Sequence, residues 1–314
     1  MATINYSDIY GGGPALRRRF EFVPSSKAVI TIAKGKLRIR AAGAGGSGGR
    51  GNKNLRGGNG GTVAVSAWIN VEKGDQIIVT IPAGGAGISA NGPGNNGGTL
   101  TVTHKGVALL VIPGGHGGSA VAQDNAPPTG AAWYVLGGIG GAGAGGGGGG
   151  GGGGAMLIEG GAKAGDGGAA NGSVAGGGGG AQGNGAVIYA GGAETDATAS
   201  ASGSGLMQAD RSILRLLSPA ITSGITPAPG VAPIISVTAS QFGCGGVGAS
   251  NGNGSTGGFG GGGGGATGAS NFAYNGGAGG VCGGGGGATE HNSGNTSGAG
   301  GQGYVTLEWL EEDM

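Results

Sequence analysis

The clearest pattern in the chain is the alternation of apolar and polar residues between positions 16 and 112. In KLRIRA, Leu37 and Ile39 alternate with charged residues, and TVAVSAWINV repeats this pattern up to Val71. A period of two is typical of strands that are buried on one face. Similar stretches are FEFV, AVITIA, QIIVTI, TLTVTH and VALLVI, and glycine-containing turns separate several of them. The pattern predicts an all-β N-terminal module of about seven strands.

Glycine dominates the remainder of the chain. Of 314 residues 91 are glycine, and Gly145–Gly154 is an uninterrupted run. A single run of this kind is expected to be a flexible coil. Between positions 137 and 303, however, runs of comparable length alternate with short segments such as AMLIE, AVIYA and ASNFAY. Such repetition favours parallel rods joined by turns, because glycine lacks a Cβ and lets backbones approach closely. An ordered bundle and a set of flexible linkers both remain open.

One stretch in the glycine-rich region has a helical pattern. GLMQADRSILRLLSP places Leu206, Ala209, Ile213, Leu214 and Leu217 on one helical face and ends at a proline. We expect one short amphipathic helix at about 206–217, within an inserted segment 193–240, packed on the rest of the bundle.

The charges are unevenly distributed along the chain. Residues 1–110 hold 13 of the 16 Lys and Arg against four acids, a net +9, and the rest carries 3 − 11 = −8. The basic part is either a docking surface for an acidic partner or a solvated charged face. We expect neither a secretory signal nor a membrane span, because no long apolar run is present. Cys244 and Cys282 could pair, or be two small buried thiols.

Motifs for enzymatic chemistry receive little support. GGSGG matches the G-x-S-x-G elbow around Ser47, but no helical pattern follows it, and glycine-rich chains produce such matches by chance. No P-loop motif is present. His104, His116 and His291 lack the spacing of a metal site. We therefore expect no enzymatic activity, no cofactor and no metal.

The order of the pieces resembles a known family. FEFVPSS, LRIRAAGAGGSGG, GGNGGTVAVSAWINVEKGDQIIVTIPAGGAG, GGTLTV and VIPGGHGG follow one another, and the chain closes with GAGGQGYVTLEWLEEDM. This series resembles the glycine-rich domain at the ends of phage and prophage tail fibres, over about residues 16–118 and 294–310. The resemblance implies a bundle of polyglycine-II helices with variable loops at its end, as in some fibre-tip adhesins.

These observations predict a domain plan. We expect an N-terminal arm at 1–15 and a basic β-strand attachment module at 16–120. A polyglycine-II bundle with surface loops should follow at 121–303, and a C-terminal strand at 304–314. The expected function is a tail-fibre tip adhesin that recognises a bacterial surface receptor, either an outer-membrane protein or a polysaccharide. Its second partner is a tail fibre or other virion protein, with no nucleic acid and no membrane insertion. The alternative is a purely structural virion or tail protein, or an antifreeze-like polyglycine scaffold.

Aromatic and amide side chains in the turns are the candidates for recognition, since exposed aromatics on rigid supports are favoured anchors. SNFAYN at 270–275 is the preferred stretch, and Trp133 and Tyr134 could instead plug the end of the bundle. The receptor-binding candidates are Phe272, Tyr274, Asn271, Asn275, Tyr189, Trp133, Tyr134 and His291. The attachment candidates are Arg17, Arg18, Arg19, Arg38 and Arg40. The expected location of the mature protein is the tip of the virion tail fibre, after synthesis in the host cytoplasm.

Overall fold

The structure is a computed structural model that describes most of the chain. The described residues are 16–51, 55–144, 148–154, 165–170, 175–176, 178–179, 246, 248–250, 252–267, 274–289 and 294–312.

Twelve strands make up the regular structure of this part, and they form two main sheets. The first sheet has the order β1-β12-β3-β4-β9, with β5 also paired to β3, and the second has the order β2-β6-β7-β8. Both are antiparallel. A short parallel pair, β10 and β11, lies outside them. The strands are β1 (Leu16–Val23), β2 (Lys27–Ile30), β3 (Gly35–Ala42), β4 (Val63–Ser66), β5 (Ile69–Val71), β6 (Gln76–Thr80), β7 (Leu100–His104), β8 (Val107–Ile112), β9 (Ala131–Val135), β10 (Ala249–Ser250), β11 (Ala266–Thr267) and β12 (Tyr304–Glu312).

The alternation in the sequence explains the core between the two sheets. Leu37 and Ile39 of β3 are fully buried, as are Ile77 of β6 and Leu100 of β7. These side chains belong to one hydrophobic cluster to which both sheets contribute. Alternate residues of each strand point away from this cluster, as expected for strands buried on one face.

The C-terminal strand lies in the middle of the first sheet. β12 pairs with β1 on one side, where Phe20 is opposite Glu308, and with β3 on the other, where Arg38 is opposite Glu308. Its Leu307 and Trp309 face the core and are buried. The first sheet is therefore complete only when the last strand of the chain lies between two of the earliest.

The predicted all-β class is confirmed for the described part of the chain, where no helix occurs. Each strand predicted between positions 16 and 112 is present, but TVAVSAWINV forms two strands, β4 and β5, separated by Ala67 and Trp68. β9 was not predicted as a strand; it follows the expected boundary at 120 and pairs with β4. The predicted helix at 206–217 lies outside the described residues. Within the described part, no helix is long and apolar enough to cross a membrane.

Glycine-rich segments extend from the ends of the strands, and their backbone hydrogen bonds repeat every three residues. We call them the glycine segments: 43–51, 55–62, 82–88, 92–98, 113–119, 136–144, 148–154, 165–170, 252–258, 260–267, 274–280, 282–289 and 294–303. In segment 43–51, every third N–H donates to the same neighbour. Gly43, Gly46 and Gly49 donate to the carbonyls of Thr62, Asn59 and Arg56, Gly45 and Gly48 to those of Gly301 and Gly298, and Ser47 and Arg50 to those of Asn95 and Gly92.

Inner segments are surrounded by other segments. The backbone of 282–289 is hydrogen-bonded to six neighbours, which are 43–51, 55–62, 148–154, 260–267, 274–280 and 294–303. An arrangement of this kind satisfies the backbone polar groups of buried glycines without a β-ladder. The glycine segments therefore form a second core, built from backbone rather than from side chains.

Side chains are excluded from this core by the closeness of the backbones. A Cβ at Gly284 would lie 2.0 Å from the carbonyl oxygen of Gly58, and a Cβ at Gly48 would lie 2.1 Å from that of Gly286. Neither oxygen can move away without displacing its own segment. Close approach, rather than flexibility, explains why these positions are glycine.

We expect Gly284→Ala to lower the free energy of unfolding by about 1–3 kcal/mol or more, as overpacking does in close-packed cores. Gly287→Ala is the matched control, because it lies one repeat along the same segment and its Cβ would have 3.3 Å to its nearest neighbour. In Gly287→Ala, alanine also reduces the conformational entropy of the unfolded chain, which offsets about 0.4–1 kcal/mol of the destabilisation. Urea unfolding of both variants measures the difference, and equal losses would contradict the proposed close packing.

Candidate functional site

The glycine segments have two distinct ends. At the near end they adjoin the first sheet, where Phe259, Val281 and Cys282 pack with Tyr304 and Val63. Cys282 is a free thiol, its pKa is raised by burial, and its φ of 57° is unusual for a residue other than glycine. Cys244 lies outside the described residues. The near end is thus closed by side chains against the sheet.

The far end lies away from the two main sheets, where segment 43–51 finishes and where the short pair of β10 and β11 is found. Gly51 donates a hydrogen bond to the carbonyl of Ala288 there, at 3.2 Å. Two further contacts at this level join the starts of neighbouring segments: Gly254 N–H to the carbonyl of Asn275, and Gly276 N–H to that of Thr296, both 2.9 Å. Several segments therefore begin or end at the far end.

Asparagine side chains close the hydrogen-bonding pattern at the far end. The Oδ1 atom of Asn253 accepts from the N–H of Asn275 at 2.8 Å, and Asn275 Oδ1 accepts from the N–H of Thr296 at 2.8 Å. Asn295 Oδ1 accepts from the N–H of Tyr274 at 3.0 Å. Each side-chain Oδ1 takes the place of a backbone carbonyl as the hydrogen-bond acceptor at the end of a segment. These asparagines act on the segments as N-cap residues act on helices.

A charged residue is held at the same end. Arg50 is 5% exposed, and its Nη1 donates to Asn91 Oδ1 at 2.6 Å. The backbones of Arg50 and Gly92 are also paired through two hydrogen bonds. This connects the end of segment 43–51 to the stretch that precedes segment 92–98.

The receptor-binding candidates from the sequence are divided between locations. Tyr274, which is half-buried, and Asn275, which is exposed, lie at the far end. Asn271, Phe272, His291 and Tyr189 lie outside the described residues. Stretch 268–273 is flanked by Thr267 and Tyr274, and stretch 290–293 by Thr289 and Gly294. All four flanking residues are far-end residues.

Trp133 and Tyr134 are located elsewhere. They belong to β9 in the first sheet and not to a turn of the glycine region. Trp133 is half-buried against the cluster at the near end, and Tyr134 is 44% exposed. Trp133 could bind a receptor or close the end of the bundle. Its packing at the near end is consistent with the second of these roles.

The attachment candidates Arg18, Arg19, Arg38 and Arg40 form ion pairs within the molecule. Arg18, Arg38 and Arg40 all donate to the carboxylate of Glu308, with Nε distances of 2.7, 2.8 and 2.9 Å. Arg19 pairs with Glu311 at 2.8 Å. Arg17 is an exposed residue of β1. Three guanidinium groups also lie over rings: Arg38 is 4.7 Å from the Trp68 centroid, Arg19 is 4.9 Å from that of Trp309, and Arg18 is 5.0 Å from that of Phe20.

Glu308 is the centre of this arginine cluster and is fully buried. Burial raises the pKa of a carboxyl, but the hydrogen bonds and charges of Arg40 and Arg38 outweigh it, so the pKa of Glu308 lies below its usual value. The carboxylate therefore stays ionised and holds β1, β12 and β3 together across the outer face of the first sheet.

Other titratable groups of the described residues form local pairs or hydrogen bonds. His104 Nε2 lies 2.8 Å from Asp75 Oδ2, and Lys105 Nζ lies 3.0 Å from Asp75 Oδ1. The N–H of Glu72 and the Lys105 ammonium lower the pKa of Asp75 to about 2. Ser47 is buried, and its Oγ accepts from the N–H of Asn95. Among the described residues, no group of His, Cys, Asp or Glu is arranged to hold a metal ion.

Several of these roles were missed in the sequence. Asn253 and Asn295 were not among the recognition candidates, and Glu308 was only part of the last strand. The available signal was position, because Asn253, Asn275 and Asn295 are each the second residue of a glycine segment. Glu308 had no such signal, since its arginines come from strands far away in the sequence.

We expect Glu308→Gln to lower the free energy of unfolding at neutral pH by about 3 kcal/mol, because it leaves the buried Arg40 and the half-buried Arg38 without their carboxylate. The wild-type contribution is present above the unfolded-state pKa of about 4.3 and is lost as the pH falls below it. Acid unfolding should therefore be shallower in the variant. Glu21→Gln is the matched control, since its partly exposed pairs with Arg19 and Lys27 should contribute about 0–1 kcal/mol.

We expect Asn275→Ala to speed hydrogen exchange of the Thr296 amide by at least about tenfold, because that N–H loses its acceptor at a cost of about 1 kcal/mol or more. Asn275→Asp keeps an acceptor oxygen and should preserve the protection. Exchange measured by NMR distinguishes the two variants. Equal protection of Thr296 in wild type and Asn275→Ala would show that the side chain does not cap this segment.

No protein family model matches the chain, and no curated protein matches it.

Proposed function

We propose that the glycine segments are polyglycine-II helices packed in a bundle. Two observations support this assignment: the hydrogen bonds of segment 43–51 repeat every three residues, and segment 282–289 is bonded to six neighbours. A helix of the polyproline-II type has three residues per turn and no internal hydrogen bonds, so its N–H groups point in turn to three different neighbours. With glycine alone, such helices can pack at the distances seen at Gly284.

We propose that this protein is the tip adhesin of a phage tail fibre, carried on the virion and recognising a receptor on the bacterial surface. One observation supports the proposal: the described residues that flank stretches 268–273 and 290–293 all lie at the far end, away from the two main sheets. A rigid bundle that holds the residues at its end in place is an arrangement common to loop-based binding sites.

The asparagine caps support recognition at this end. Asn253, Asn275 and Asn295 tie neighbouring segments to one another at their starts. A contact residue on a constrained stretch loses less conformational freedom on binding, which improves affinity. Tyr274 is held in this way, so it can act as an aromatic anchor with polar neighbours.

The opposite half of the molecule is suited to attachment. The first 110 residues carry a net charge of +9, part of which Glu308 and Glu311 of β12 neutralise within the first sheet. Their strands lie at the other end of the glycine segments. A protein that bridges a fibre and a cell needs two separate surfaces. We propose that the β-sheets serve the virion side and the far end serves the receptor.

The proposal is tested by binding of the purified, fluorescently tagged protein to a panel of bacterial strains. We expect wild type to bind selected strains, and the double variant Phe272→Ser/Tyr274→Ser to lose at least about tenfold in affinity, because aromatic anchors contribute about 1.4 kcal/mol or more each at binding hot spots.

Tyr134→Ser is the matched control, since Tyr134 is an exposed tyrosine in β9, away from the far end. It should bind as wild type does. A folded wild-type protein that binds no strain would overturn the adhesin proposal and favour a structural virion protein or an antifreeze-like scaffold. Loss of binding in Tyr134→Ser alone would place the contact at the sheets.

A further inference from the structure

The chain is rich in asparagines that are followed directly by glycine. Asparagine is a chemically labile residue, and glycine after it favours deamidation, because the backbone nitrogen of glycine is unhindered. The sequence contains eight such pairs, and three of them have their asparagine outside the described residues. The five described pairs begin at Asn59, Asn91, Asn96, Asn253 and Asn275. Each of these pairs is a candidate site of covalent modification.

Deamidation requires the two residues of a pair to react with each other. The backbone nitrogen of glycine attacks Cγ of the asparagine, the bond from Cγ to Nδ2 breaks, and ammonia leaves with the proton of the attacking nitrogen. Water then opens the cyclic imide to aspartate or isoaspartate. The asparagine side chain must therefore turn towards the following nitrogen, and that nitrogen must lose its proton.

The attacking nitrogen is hydrogen-bonded to another glycine segment in all five described pairs. The donors and their carbonyl acceptors, 2.8–2.9 Å apart, are Gly60 and Gly138, Gly92 and Arg50, Gly97 and Gly115, Gly254 and Asn275, and Gly276 and Thr296. Loss of the proton would break each of these bonds.

A second hydrogen bond holds the side chain of each asparagine. The Oδ1 atoms of Asn59, Asn91, Asn96, Asn253 and Asn275 accept from Gly140 N–H, Arg50 Nη1, Gly117 N–H, Asn275 N–H and Thr296 N–H, at 3.1, 2.6, 2.8, 2.8 and 2.8 Å. Each Oδ1 is thereby turned to a neighbouring segment rather than to the following nitrogen. Both bonds must break before the ring can close, so modification requires local opening of the bundle.

Two of the pairs form the same clamp at the far end. Asn253 Oδ1 and Gly254 N–H bind the N–H and the carbonyl of Asn275. Asn275 Oδ1 and Gly276 N–H bind those of Thr296 in the same way. The second clamp is therefore held in place by the first.

Asn59 has the same dipeptide sequence in a different setting. It is 5% exposed, whereas Asn253 and Asn275 are exposed. Its Nδ2 also donates to the buried Asn125 Oδ1 at 3.0 Å. Ends of structural elements open at a lower free energy than buried interiors do. The far-end pairs should therefore open more often than Asn59 and Gly60.

We propose that packing of the glycine segments protects these pairs from deamidation, and that Asn253 and Asn275 are modified before Asn59, when the far end opens. Aspartate keeps an acceptor oxygen at the clamp. Isoaspartate adds one atom to the backbone, which interrupts hydrogen bonding at every third residue. Modification would thus loosen the segments at the far end. The proposal does not depend on the adhesin function.

Storage of the full chain at neutral pH, followed by mass spectrometry of its proteolytic fragments, measures the deamidation rate at each pair. We expect the five described pairs to react at least about tenfold more slowly in the folded protein than in urea, because two hydrogen bonds must break first. In the folded protein, Asn253 and Asn275 should react faster than Asn59. Equal rates with and without urea overturn the proposal, as does modification of Asn59 before the far-end pairs.

Asn253→Ala tests the clamp itself. It removes the acceptor of the Asn275 N–H, so deamidation at Asn275 should become about fivefold faster, with no change at Asn59. Asn253→Asp is the matched control, because it keeps an acceptor oxygen and should leave the rate at Asn275 as in wild type. An unchanged rate at Asn275 in Asn253→Ala would overturn the proposed protection by the clamp.

Discussion

The rest of the structure depends on backbone hydrogen bonds that repeat every three residues between glycine segments. Successive N–H groups of segment 43–51 donate to different neighbouring segments. Hydrogen bonds to several neighbours therefore hold this segment in place. This arrangement needs backbones in contact, and a Cβ at Gly284 or Gly48 would collide with a carbonyl oxygen about 2 Å away. Many such bonds together offset the large entropy that glycine loses on ordering.

The β-sheets determine which glycine segments are neighbours and in which register they lie. β3 continues into segment 43–51 and segment 294–303 continues into β12, and these two strands are paired residue by residue. The register of the strands is therefore passed on to the segments. Side chains of the first sheet and of the turns at Phe259 and Cys282 then close the near end. The side-chain core and the backbone core thus stabilise each other.

Asparagine side chains at the far end and a glutamate on the first sheet provide hydrogen-bond acceptors in addition to the backbone carbonyls. At the far end, Asn253, Asn275 and Asn295 accept hydrogen bonds from N–H groups that no neighbouring carbonyl reaches. On the first sheet, Glu308 joins arginines from β1 and β3 and remains ionised although it is buried. Arginines that the sequence presents as a basic surface are thereby largely occupied within the protein.

The sequence by itself determined the strands between positions 16 and 112 and favoured parallel rods over flexible linkers in the glycine-rich region, because both depend on local patterns. Alternation of Leu37 and Ile39 with charged residues specifies a strand wherever the chain places it. The tertiary structure alone decided which segments are neighbours, that β12 lies between β1 and β3, and that Trp133 and Tyr134 belong to a strand. It also decided that Glu308 faces three arginines. The physical reason is that glycine runs carry no side chains to distinguish one neighbour from another, so their pairing depends on the strands from which they extend.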